Sequence, residues 1–163
     1  MIKRLQLLVP GFHAYRVGED IRAADSLLRR QVADKVHDAM AQLQDVRSDL
    51  VNQNQFSVLT EFSNLIWDLQ QLEGHIRHAE QGYTGISPAV RIQAADLDKL
   101  YEYDFGFAQA ADQLGAGVRD LRGTIASANA TAIPPAVAVV RTQVTQLNQA
   151  FQARIKVIEG IRV

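Results

Sequence analysis

Apolar residues recur along this chain in alternating steps of four and three. Val32, Val36, Ala39, Leu43, Val46 and Leu50 form one run, and Val58, Phe62, Leu65, Leu69, Leu72, Ile76 and Ala79 form a second. Leu97, Leu100, Asp104, Phe107 or Ala108, Ala111, Leu114, Val118 and Leu121 form a third, and Val137, Val140, Val144, Leu147, Phe151 and Ile158 a fourth. That spacing keeps side chains on one helical stripe, and its strictness is that of a heptad seam between packed helices. It predicts helices over about 19–51, 56–81, 94–126 and 135 to near the C-terminus.

The breaks between these runs fit the same reading. "NQNQ" at 52–55 is a short polar turn, which makes the first two helices antiparallel neighbours. "GYTGISPAVRIQ" at 82–93 and "SANATAIPP" at 127–135 are loops, with Pro135 suited to a first helical turn. The expected fold is all-α: an antiparallel up-down-up-down four-helix bundle over 19–163, preceded by an arm over 1–18. The alternative is a pair of long helical hairpins that complete their core only on dimerisation.

Two acids interrupt the apolar stripes. Asp104 follows Leu97 by seven and Leu100 by four, and Asp25 precedes Leu28 by three and Val32 by seven. A buried carboxylate is unfavourable unless paired. The up-down order places the start of helix one, the end of helix two, the start of helix three and the end of helix four at one end of the bundle. Arg22, Asp25, Arg29, Tyr83, Tyr101 and Asp104 gather there, with Arg22 and Arg29 as candidate partners for the acids. Two readings stay open: a polar layer that fixes helix register, or a pocket for a small ligand or metal.

Composition narrows the function. The net charge is −1, which leaves no excess of positive charge for phosphates, so nucleic acid is not an expected partner. The chain has no cysteine, which removes thiolate chemistry and fits a cytoplasmic protein. His75 and His78 have the only metal-like spacing and are weak candidates, because His78 lies well round from the apolar stripe. No phosphate loop, nucleophile elbow or Glu-x-x-His element occurs, and no cofactor is expected. Trp67, one residue past the stripe's edge at Ile66, reads as partly buried, with a partner surface as the other reading.

The arm "MIKRLQLLVPGFHAYRVG" is apolar and basic. It lacks the long apolar core and cleavage site of a leader and is expected to be retained. Leu5, Leu8, Phe12 and Tyr15 are its candidate anchors, for a protein partner, for the chain's own bundle, or for weak peripheral membrane contact through residues 1–15. The expectation is a non-enzymatic interaction or scaffold protein that self-associates or docks a protein partner. A bundle binding a small ligand or metal at its polar end is the second class, and an enzyme with a site shared between subunits the third.

Three stretches, "GFHAYRVGEDIRAADSLLR" (11–29), "GYTGI" (82–86) and "LDKLYEYDFGF" (97–107), resemble a group of uncharacterised bacterial helical proteins. That group has a Gly-x-x-x-Tyr start, a Gly-Tyr-x-Gly loop and a Leu-Tyr-Glu-aromatic-Asp helix. The resemblance covers about a third of the chain and implies that Tyr15, Arg22, Asp25, Arg29, Tyr83, Tyr101 and Asp104 form one constellation. It carries no catalytic residue over.

Overall fold

The computed structural model describes residues 2–12, 18–79 and 94–160. Five helices are present: α1 Ile2–Leu8, α2 Gly18–Asn52, α3 Phe56–His78, α4 Ala94–Ala126 and α5 Ile133–Gly160. The four long ones form an all-α bundle, and their bounds lie within a few residues of those the apolar spacing predicts. All four seams meet in one buried cluster, with Leu28, Leu43, Leu65, Leu69, Leu114 and Leu147 fully enclosed. One chain closes this core, so dimerisation is not needed to complete it.

Consecutive helices run antiparallel. Arg77 of α3 bonds Asp34 of α2 at 2.8 Å, while Phe107 of α4 stacks on Phe151 of α5 with centroids 5.5 Å apart. The two hairpins sit side by side with like helices parallel. Lys35 of α2 meets Asp112 of α4 at 2.5 Å, and further along the Gln53 amide donates to the Ile125 carbonyl at 3.0 Å. Arg141 of α5 pairs with Glu61 of α3 at 2.9 Å. Among the described residues α3 and α4 do not pack on each other, so the order around the bundle is α2, α3, α5, α4.

The turn from α2 to α3 is closed by backbone. Asn54 takes a positive φ of 57°, the Gln55 amide donates to the Leu50 carbonyl at 2.9 Å, and the Asn54 amide donates to Val51 at 3.0 Å. These bonds satisfy carbonyls that the helix end leaves without partners. At the far end of α4, Ala128 takes the same left-handed conformation, φ 53°.

The arm is a further helix of the same core. Leu5, Val9 and Phe12 are buried against the bundle, and Leu8 is half-buried. Full burial of a side chain such as Leu5 or Phe12 contributes about 1.5–3 kcal/mol. Phe12 meets Tyr101 edge-on at 6.4 Å, and the Arg4 guanidinium lies 4.7 Å over the Phe105 ring. The Lys35 ammonium donates to the Leu8 carbonyl at 3.0 Å, and the Gln31 amide donates to Pro10 at 2.7 Å. A seven-residue helix is not stable alone, which is why no periodicity announced α1. Packing on α4 makes it.

Candidate functional site

Asp104 sits on the core stripe of α4, and its side chain is fully enclosed. Its partner is Arg154 of α5, whose Nε donates to Asp104 Oδ1 at 2.6 Å. The same guanidinium reaches across the bundle, and its Nη1 donates to Asp25 Oδ1 of α2 at 2.5 Å. The other oxygen of Asp25 accepts from Arg29 Nε at 2.9 Å, one helical turn along α2. Arg29 Nη1 then approaches the carbonyls of Ile76 and Arg77, in the last turn of α3, at 3.4 and 3.5 Å. The layer therefore ties all four long helices together.

The electrostatics balance. Two carboxylates face two guanidiniums, and Asp25, Asp104 and Arg154 are each at most 2% exposed. A planar guanidinium serves two carboxylates through separate N–H groups held in a rigid fork, a fixed geometry that a lysine ammonium lacks. Arg29 also brings positive charge to the carbonyl end of α3, where the helix dipole favours it. The layer gives each of the four long helices a polar contact within the core.

The structure unites Asp25, Arg29 and Asp104, as the spacing predicts. Tyr101 is buried beside them but packs on Phe12. Tyr15 and Tyr83 lie outside the described residues, and so does the Arg22 side chain. Arg154 is the residue that sequence reading missed. Its signal was there: Phe151 and Ile158 are seven apart, and Arg154 fills the seam position between them, three after one and four before the other.

Two candidates move. Trp67 is 60% exposed, against the expectation of partial burial, because it lies on the side of α3 opposite the core. Leu5 and Phe12, candidate partner anchors of the arm, are closed against the chain's own bundle, and among the arm's described residues Leu7 is an exposed apolar one at 83%. His75 and His78 are exposed, and among the described residues no three His, Cys, Asp or Glu side chains cluster closely enough to hold a metal ion.

Outside the buried layer, surface hollows border the bundle, among them two beside α5. One, of about 410 Å³, lies between α3 and α5, with Trp67, Asp68 and His75 on one side and Val144, Thr145 and Asn148 on the other. The second, of about 480 Å³, lies between α4 and α5 around Tyr103, Gly106 and Ala150. On the α2 side of α3, Arg77 bonds Asp34 and Glu73, and the Asp34 bond foremost raises its pKa above the usual guanidinium value. No family model matches the chain, and neither the curated proteins nor the solved structures return a match.

Proposed function

We propose that this chain is a non-enzymatic interaction or scaffold protein that docks a protein partner or assembly through its bundle surface. The observation that carries this reading is the exposure of two large aromatic residues on one stripe of α3. Phe56 is 59% and Trp67 60% exposed, and eleven residues on a helix return to nearly the same face. Aromatic residues flanked by uncharged polar ones are the composition of interface cores. The buried acids favour a structural role for the polar end, since Asp25 and Asp104 are engaged by Arg29 and Arg154.

Native mass spectrometry on the chain, isolated gently from its own cells beside a Trp67→Glu variant, tests the proposal. Added subunits in the wild type that are missing from the variant are the expected result. The same bare 18.1 kDa species from both overturns it, and a small bound mass on that species would redirect attention to the polar end.

A further inference from the structure

The outward side of α3 carries a second seam. Phe56, Thr60, Ser63, Trp67, Gln70 and Gly74 follow one another in steps of four, three, four, three and four. This stripe lies opposite the core seam of Val58, Phe62, Leu65, Leu69, Leu72 and Ile76. The solvent side of a bundle helix normally collects charge, as the outward side of α2 does with exposed Arg30, Asp34, Asp38 and Asp45. The outward seam of α3 has none. The charged residues of α3 lie to either side of it: Glu61 pairs with Arg141 of α5, while Glu73 and Arg77 turn toward α2.

A Cβ built at Gly74 meets nothing within 4 Å, so the monomer leaves room at that end of the seam for a helix approaching from outside.

The order of sizes along the seam identifies that helix. Reversed about its midpoint at position 65, the seam falls on itself: Phe56 comes opposite Gly74, Trp67 opposite Ser63, and Thr60 opposite Gln70. Each large aromatic meets a small residue, which is the condition for knobs to seat in holes. An antiparallel two-fold pairing of identical helices produces this reversal. The absence of charge on the stripe removes the like-charge repulsion that self-pairing otherwise suffers. We infer that the partner of this surface is a second copy of the chain, docked α3 against α3 in antiparallel register with Trp67 of each copy over Ser63 of the other. This rests on the interaction reading above and names its partner. One helix pair is a small interface, so the dimer forms and dissociates at micromolar concentration.

Sedimentation velocity and tryptophan emission on the full chain, over about 1 to 200 µM, test it together. Trp67 is the sole tryptophan, so its emission reports the interface alone. The expected result is a species of twice 18.1 kDa that dissociates on dilution while the emission shifts red, and a monomer at all concentrations for Ser63→Glu. Register is read by disulfides, since the chain has no native cysteine. Thr60→Cys and Gln70→Cys chains, mixed and oxidised, should cross-link to each other and not to themselves. In this register a residue at position 60 lies about 15 Å along the axis from its own copy, beyond the roughly 7 Å that a disulfide spans. A wild type that stays monomeric, or like pairs that cross-link as readily as mixed ones, overturns the inference. If the monomer nonetheless carries a different protein that Trp67→Glu releases, self-pairing fails while the interaction reading stands.

Discussion

Arg154 and Asp104 lie fifty residues apart in sequence and 2.6 Å apart in the core, where neither is exposed by more than 1%. Their contact joins α4 to α5, and through Asp25 it also ties in α2. Removing one member of such a group leaves an uncompensated buried charge. Arg154→Met is expected to cost about 3–5 kcal/mol. Urea denaturation followed by circular dichroism measures it, and a change below about 1 kcal/mol would mean that the layer does not hold the fold.

Asp104→Asn keeps the shape and removes the charge, and it should lower stability by about 2 kcal/mol, the scale of a hydrogen bond to a charged group. The two substitutions share one interaction, so their effects should not add. A double-mutant cycle with Arg154→Met is expected to return a coupling of about 1–3 kcal/mol. Additive losses would show that Asp104 and Arg154 act through other neighbours.

Replacing Asp25, Arg29, Asp104 and Arg154 together by Leu, Met, Leu and Met separates stability from specificity. Apolar replacement of a buried ion group is often neutral or stabilising by about 1–4 kcal/mol. Stability at or above wild type is expected, with broadened NMR lines where helix register is no longer unique. A large fall in stability would show instead that the ion pairs themselves hold the bundle together.

Among the polar contacts that hold the arm, Lys35 bonds both the Leu8 carbonyl and Asp112. Lys35→Met should leave the four long helices intact and loosen α1. Brief trypsin treatment would then cut faster at the exposed Lys3 and Arg4 than in the wild type. Equal cutting rates would assign the hold to the buried Leu5, Val9 and Phe12 and the arm's other contacts.

Backbone conformation offers two gains. Gly123 lies inside α4 with nothing within 4 Å of a built Cβ, so Gly123→Ala should add up to about 1 kcal/mol. Ala128 occupies the left-handed region at φ 53°, which disfavours any residue with a Cβ, so Ala128→Gly should add a similar amount. Thermal denaturation reads both, at about 2–4 °C per kcal/mol for a chain of this size. A fall in Tm for either would show an interaction at that position that the geometry does not reveal.

The four long helices were legible because apolar spacing is local: Val58, Phe62, Leu65 and Leu69 declare a stripe whatever lies opposite them. The unease of Asp25 and Asp104 was legible too, because an acid on such a stripe needs a partner. The identity of that partner was not. Arg154 is a common residue on a helix, and only packing α5 against α4 and across from α2 turns its seam position into a bridge. The arm's fate was likewise tertiary, since Leu5 and Phe12 are apolar enough for several surfaces and α4 is the one they meet. The exposure of Trp67 was legible as well, because position 67 lies on the opposite side of the helix from the stripe that Val58, Phe62, Leu65 and Leu69 mark. Periodicity depends on neighbours along the chain, and so the sequence determined the helices. Pairing depends on neighbours in space, so only the tertiary structure decided which charges meet and which surface the arm covers.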